Sequence, residues 1–117
     1  MSLTVERFAS NLRKELSIIL LREAKDANLS NVTITEVRVT NDLSFATIFY
    51  IVPSFLKDKI APSLNRAKGY FRSELARRVK GRKMPELIFK YDENLEYGNH
   101  INEIMSKITY NNQDNEE

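Results

Sequence analysis

Apolar residues recur every three or four positions in the first part of the chain, and this spacing predicts an amphipathic helix. The pattern runs from about Thr4 to Asp26 without a glycine or proline. Its apolar stripe consists of Val5, Phe8, Leu12, Leu16 and Ile19. The polar run 27–31 follows, and it predicts that the helix ends there.

Two strands are predicted next, because β-branched and aromatic residues dominate both segments. In Val32–Thr40 the alternation changes phase, which predicts a bulge near Thr35 or a late strand start. A turn at 41–42 separates this strand from the second, at 45–51. One face of the second strand carries Phe45, Phe49 and Ile51, and the other carries Ala46, Ile48 and Tyr50. The short connection predicts an antiparallel hairpin.

Helical spacing returns after Pro53, at Phe55, Ile60 and Leu64. We expect a helix that ends at Ala67 and has an irregular first half, because Pro62 would break or kink a continuous helix. Gly69 then permits a sharp change of direction, since glycine adopts backbone conformations that other residues resist.

A further helix is predicted over Tyr70–Lys80, where the apolar residues Phe71, Leu75 and Val79 fall on one side. The opposite side carries Tyr70, Ser73, Arg77 and Lys80. Arg78 lies four residues after Glu74, a spacing that favours an ion pair. Arg77 and Lys80 are therefore the stronger candidates for binding an anion. Arg72 flanks the apolar stripe and is suited to either purpose.

Gly81 and Pro85 end this helix, and 86–91 alternates as a third strand with Leu87, Phe89 and Tyr91 on one face. Asn94 is suited to cap a last helix that carries Tyr97, Ile101, Ile104, Met105 and Ile108. The polar run 111–117 predicts a disordered tail. The sequence thus predicts one α+β domain over 1–110, with a three-stranded sheet covered by helices on one face.

Charge changes this picture more than overall composition does. The chain of 117 residues has a net charge of +2, but 66–90 alone holds nine cations against Glu74 and Glu86. Such a concentration attracts polyanions, and counterion release favours nucleic acid as the partner. A solvated helix face, or a surface that docks an acidic protein, are the alternatives that charge alone leaves open.

The candidate RNA-binding residues come from this segment and centre on the junction between the two helices. Free backbone N–H groups at the start of the second helix form a natural site for a phosphate. Tyr70 is placed to stack on a base or to pack beside the junction. The candidates are Arg66, Lys68, Gly69, Tyr70, Arg72, Arg77, Lys80, Arg82 and Lys83, and Ala67 and Gly69 shape the junction.

Catalytic, metal and membrane functions find little support in the sequence. The chain has no cysteine, which excludes disulfides and thiolate zinc sites and favours a cytoplasmic location. Glu96 and His100 share the spacing of a metal-binding pair but lack a further ligand. No nucleotide-binding loop or nucleophile motif is present, and the longest apolar run, 18–21, is far too short to span a membrane. We expect a monomer without cofactor, metal or small-molecule substrate.

Five stretches together carry a resemblance to a known family. The most specific are 67–75 (AKGYFRSEL) and 84–92 (MPELIFKYD), and the others are 7–16, 37–46 and 94–98. In these stretches the chain resembles the bacterial ribosome-binding factor A family, and the resemblance covers roughly 7–107 in one order.

The resemblance implies a type II KH-like fold, in the order α-β-β-α-kink-α-β with a C-terminal helix. In this family an Ala-x-Gly kink, matched by Ala67-Lys68-Gly69, replaces the Gly-x-x-Gly loop of many KH domains. It implies binding to the small (30S) ribosomal subunit and its 16S rRNA, held through phosphates. It also implies a role in late subunit maturation and rRNA processing, with importance in cold adaptation. Many relatives carry a basic Gly-Arg-Pro arm before the first helix, which 1–6 lacks.

Overall fold

A computed structural model describes residues 3–23, 26–79 and 83–94 of the chain. Three helices and three strands make up its regular structure, in the order α1, β1, β2, α2, α3, β3. The helices are α1 (Leu3–Ile18), α2 (Lys57–Arg66) and α3 (Lys68–Arg78), and the strands are β1 (Thr33–Val39), β2 (Phe45–Ile51) and β3 (Glu86–Tyr91). This α+β order is the one expected from the sequence. The last helix and the tail lie outside the described residues.

The first helix is regular as far as Ile18 and continues as a π-helical turn over Ile19–Glu23. Its expected stripe faces the core: Leu12, Leu16 and Ile19 are fully buried, Val5 is nearly so, and Phe8 is partly buried. The helix packs mainly against β1. The chain then passes through a short 3-10 turn, Ala27–Asn31, in which the side chain of Asp26 accepts a hydrogen bond from the amide of Asn28.

The sheet has the order β1-β2-β3, with β1 and β2 antiparallel and β2 and β3 parallel. The register shifts between Ile34 and Glu36, which confirms the bulge expected near Thr35. A parallel neighbour needs a crossover connection, and α2 and α3 supply it between β2 and β3. The second and third strands have the predicted bounds.

One face of the sheet carries the core. Ala46 and Ile48 of β2 are fully buried and Tyr50 nearly so, together with Leu87 of β3. The opposite residues of β2 point away from the helices, and Phe45 is 43% exposed there. Phe71 and Leu75 of α3 close the core with no exposed surface, as the helical spacing predicted.

The β1–β2 turn holds one unusual backbone conformation. Leu43 has a φ of 62°, in the left-handed region that side chains other than glycine, asparagine and aspartate rarely adopt. Leu43 is buried, with only 8% of its surface exposed, and this burial of an apolar residue offsets the backbone strain. The hydroxyl of Thr40 accepts hydrogen bonds from the amides of Ser44 and Phe45, both at 3.1 Å, and this locks the turn.

Pro62 lies inside α2 without breaking it, so of the break or kink expected from the sequence the break does not occur. A proline inside a helix removes the hydrogen bond that its own N–H would make to the carbonyl four residues earlier. That residue is Asp58, and both it and Pro62 are exposed, so that water can satisfy the carbonyl. The irregular part is instead the 3-10 turn Ser54–Leu56, in which Phe55 is 77% exposed and Leu56 is buried.

Candidate nucleic-acid interface

A single residue separates the two helices that carry the basic segment. Ala67 ends α2 and precedes α3, with φ −87° and ψ 0°. Its amide donates to the carbonyl of Ser63 at 3.1 Å, and its own carbonyl accepts from the amide of Phe71 at 2.9 Å. The Ala67 methyl packs against the core. The junction is therefore held by hydrogen bonds on both sides and by packing underneath.

Gly69 does not have the steric role expected of it. It is the second residue of α3, beyond the break at Ala67, and its φ lies outside the left-handed region. A Cβ built at this position meets no heavy atom within 4 Å. The change of direction between the helices thus needs no glycine at position 69, and the sequence-based reason for assigning it there was wrong.

Two cations stand immediately on either side of the junction. Arg66 is the last residue of α2 and is exposed, while Lys68 is the first residue of α3 and is partly buried. Nη2 of Arg66 donates to the Ser63 hydroxyl at 3.2 Å, which orients the guanidinium and leaves its other donors for a ligand. Positive charge and the start of a helix therefore coincide here.

Tyr70 lies one turn after Arg66 and keeps 39% of its surface exposed. Its ring centroid is 6.0 Å from that of Phe71, with the two planes tilted by 56°. Phe71 itself is fully buried, as expected, so Tyr70 lies at the edge of the core and keeps part of its surface in solvent.

Arg72 is turned toward β3 rather than toward a ligand. Its Nη2 donates to the carbonyl of Met84 at 2.8 Å, and its Nε donates to that of Pro85 at 3.2 Å. These bonds tie α3 to the segment that leads into β3. Of the two purposes that the sequence left open for Arg72, the structure shows the structural one, and the RNA-binding one stays a prediction.

The two neighbouring arginines at the end of α3 both pair with Glu74. Nη1 of Arg77 lies 2.8 and 2.7 Å from the two carboxylate oxygens, whereas Nη2 of Arg78 lies 3.6 Å away. Arg78 also reaches Glu15 of α1 at 3.6 Å. The expected pair of Glu74 with Arg78 is present. Arg78 contacts two carboxylates and its side chain is 25% exposed, whereas Arg77 contacts Glu74 alone among the described residues and is 72% exposed, so Arg77 is the more accessible of the two, as expected, although it too is paired.

Lys83 contacts the β1–β2 turn. Its Nζ donates to the Ser44 hydroxyl at 3.5 Å, a long and exposed contact. The two remaining candidate cations, Lys80 and Arg82, lie outside the described residues. Of the described candidate cations other than Arg72, Arg66, Lys68 and Lys83 remain available to an anion, together with those donors of Arg77 that Glu74 does not occupy.

Sequence reasoning missed a cavity of about 320 Å³ beside the junction. Asp26 and Leu29 contribute to its wall from the turn that follows α1, and they face Arg66 and Tyr70. Residues about forty positions apart in the chain carry no common local pattern, so the sequence held no signal for this arrangement.

Within residues 3–23, 26–79 and 83–94 no three His, Cys, Asp or Glu side chains come together as a metal site would require. The Glu96–His100 pair falls outside these ranges. No described helix has the length and apolar character that a membrane crossing demands.

Comparison with known proteins gives a consistent result. The family model described as ribosome-binding factor A matches residues 4–105. A Phytoplasma mali protein of that name is 41% identical over 113 residues, which cover 92% of this chain and 98% of the relative. The Enterococcus faecalis protein of the same name is 42% identical over 105 residues, covering 87% and 90%.

Solved structures agree with the sequence comparison. The crystal structure of ribosome-binding factor A from Thermus thermophilus superposes with a TM-score of 0.66 at 26% identity, covering 74% of this chain and 93% of that one. A homology model of the Thermus thermophilus protein, fitted into a cryo-EM map of a 30S complex, gives a TM-score of 0.57 at 25% identity, covering 72% and 90%. The chain belongs to the ribosome-binding factor A family.

Proposed function

We propose that this protein binds the small ribosomal subunit through its 16S rRNA and acts there as a binding factor, without catalysing a reaction. Family membership supports the proposal. The Thermus thermophilus relative, which this chain matches over 90% of its length, has been fitted into the map of a 30S complex. The basic segment supplies the chemistry that such a partner requires, because phosphate contacts dominate affinity for RNA.

The observation that carries the proposal is the position of Arg66 and Lys68 on either side of Ala67. Both cations lie where α3 begins, and the partial positive charge of a helix N-terminus adds to theirs. A phosphate at this corner meets two side chains and backbone donors at once. Lys83 and the remaining donors of Arg77 provide further contacts on the same α3–β3 part of the molecule.

The mode of recognition follows from the junction. With one residue between the helices there is no extended loop to clamp a single strand in the manner of a Gly-x-x-Gly loop. Folded rRNA held by its backbone is the partner that fits. Such contacts fix position without reading sequence.

Assistance in late maturation of the subunit and in rRNA processing, with importance in the cold, completes the proposal. During assembly the rRNA passes between a folded conformation and alternative ones. A factor that binds the folded conformation more tightly stabilises it by the difference between its two affinities. In cells that carry only a binding-deficient variant, we expect precursor 16S rRNA to accumulate and growth to slow most at low temperature. Normal growth and normal processing in the cold would contradict this part.

Co-sedimentation with purified small subunits tests the binding itself. The double variant Arg66→Glu/Lys68→Glu is expected to lose most of the binding. Lys14→Glu/Arg22→Glu is the matched control, because it makes the same change in net charge at exposed positions of the α1 region. An equal loss of subunit binding in both variants would show that overall charge, not the helix junction, determines binding. Retention on a protein after the rRNA is digested would instead favour an acidic protein as the partner.

A further inference from the structure

The cavity beside the helix junction has a floor and a mouth of different chemistry. Leu29, 2% exposed, and Phe71, fully buried, form its apolar floor. Arg66 and Tyr70, both exposed, stand at its mouth. Its volume of about 320 Å³ lies at the lower end of the range of small-ligand pockets, roughly 300–1,000 Å³. A flat aromatic group that carries polar edges fits such walls.

Hydrogen bonds orient the charged groups of the cavity. The Ser63 hydroxyl donates to the carbonyl of Lys59 at 3.3 Å and accepts from Nη2 of Arg66 at 3.2 Å, so the guanidinium is held from one side. Oδ1 of Asp26 accepts from the amide of Asn28 at 2.9 Å. An ionised carboxylate has about four acceptor positions, so Asp26 keeps acceptor capacity for a ligand.

We propose that this cavity binds one unpaired base of RNA, stacked against Tyr70, with Asp26 accepting a hydrogen bond from the amino group of the base. Arg66 and the adjacent Lys68 then contact the phosphate of the same nucleotide. The proposal deepens the proposed function and rests on it. It adds a base-binding subsite to a surface otherwise built for phosphates.

The charges in the wall select this ligand over others. An acidic peptide would be attracted to Arg66 but repelled by Asp26, and an apolar side chain would use neither. A nucleotide uses both, because its phosphate is an anion and its base carries hydrogen-bond donors. Adenine, cytosine and guanine present an exocyclic amino group to the carboxylate. Uracil has a single N–H on the corresponding edge, and a carbonyl oxygen lies on either side of it. The carboxylate repels these two oxygens, so uracil is the disfavoured base.

Fluorescence anisotropy with labelled oligoadenylate, oligocytidylate and oligouridylate of equal length tests the subsite. We expect wild-type protein to prefer the first two over oligouridylate. Stacking on an aromatic side chain is worth enough that Tyr70→Leu should weaken oligoadenylate binding by about fivefold or more. Tyr70→Phe is the matched control and should stay within about twofold, because it keeps the ring. Asp26→Asn should reduce the preference against uracil.

Equal affinity of wild type and a folded Tyr70→Leu variant for oligoadenylate would overturn the proposal. If that variant fails to fold, ultraviolet cross-linking of wild-type protein to oligoadenylate decides instead. A cross-link at Tyr70 supports the subsite, and cross-links elsewhere alone overturn it.

Co-sedimentation with small subunits separates this result from the proposed function. If wild-type protein binds subunits but Tyr70→Leu does not change the affinity for oligoadenylate, the proposed function stands and the subsite is ruled out. Failure of wild-type protein to bind subunits removes the function, and the oligonucleotide result still decides the subsite.

Discussion

Arg77 and Glu74, one turn apart on α3, form an ion pair in which a single nitrogen, Nη1 of the arginine, lies 2.8 and 2.7 Å from the two carboxylate oxygens. The guanidinium side chain is 72% exposed, but the glutamate is only 15% exposed. The pair therefore sits at the border between the core of the protein and its basic surface. The contact with Glu74 uses Nη1 and leaves Nε and Nη2 of Arg77 out of this pair, so the arginine can bind Glu74 and a phosphate together.

Arg77→Ala is expected to leave stability almost unchanged, because an exposed ion pair contributes only about 0–1 kcal/mol. The same variant should bind small subunits a few-fold more weakly. Glu74→Gln should bind small subunits more tightly, since it removes an acid next to the phosphate. It should also lower stability, since it loosens Arg78 as well as Arg77. Thermal melts and co-sedimentation of both variants check this. Unchanged subunit binding by Arg77→Ala would remove the residue from the interface.

Arg72→Gln is expected to affect the fold rather than the interface. It loses the bonds to the carbonyls of Met84 and Pro85, and we expect a loss of about 1 kcal/mol in the free energy of unfolding. Subunit affinity should stay within about twofold wherever the variant is folded. The matched comparison is Arg66→Gln, which should weaken subunit binding while leaving the free energy of unfolding nearly unchanged. Denaturant unfolding beside co-sedimentation separates the two cases.

Gly69→Ala should stabilise the protein. Glycine in a helix costs about 0.5–1 kcal/mol relative to alanine, and the added methyl group meets no atom of the protein within 4 Å. A rise in the unfolding midpoint is therefore expected. Gly69→Val should leave the angle between α2 and α3 unchanged, because the break lies at Ala67. A fall in stability on Gly69→Ala would show that the backbone at this position does need glycine.

Acid should loosen the β1–β2 turn. Hydrogen bonds from the backbone N–H of Ser44 and from the Thr40 hydroxyl hold the pKa of the Asp42 carboxyl below its usual value. As the pH falls, the unfolded chain binds this proton before the folded one does, so the contribution of Asp42 to stability is lost below its ordinary pKa of about 3.9. Urea unfolding at about pH 6 and about pH 3 tests this. The stability gap between wild type and Asp42→Asn should narrow at the lower pH.

Salt should weaken binding to subunits steeply. If Arg66, Lys68, Arg77 and Lys83 each neutralise one phosphate, the slope of log K against log salt is about −2.8 to −3.6. Arg77→Ala should make that slope shallower by about 0.7–0.9. A slope near zero in wild-type protein would be incompatible with rRNA held through its phosphates.

The elements that the pattern predicted well are those with a strong local period. The bounds of β2 and β3 follow from alternation over a few residues, and the stripe of α1 follows from spacing within one helix. The bulge near Thr35 was also readable, because a one-residue insertion shifts the phase of the alternation. Pro62 was misjudged, since one missing hydrogen bond at an exposed position costs less than the burial of Ile60 and Leu64 contributes.

The candidate site was predicted as a segment but not as a surface. Composition identified the basic stretch, and the helical spacing on either side of 67–69 placed it on a helix junction, which the family resemblance also implied. The structural bonds of Arg72 were not predictable, because the carbonyls of Met84 and Pro85 approach it only in the folded chain. Arg77 and Arg78 compete for one glutamate at spacings of three and four, and their side-chain geometry, not the spacing, decides how closely each approaches it.

The order of residues alone specified the helices, the strands and the concentration of cations, because those properties depend on neighbours in the chain. Packing in three dimensions settled which side of β2 is buried, since Phe45, Phe49 and Ile51 are as apolar as the residues that face the helices. It also brought Asp26 to Arg66 and set Arg72 against β3. Contacts between distant segments form only when the core excludes water around them, and no local pattern encodes that outcome.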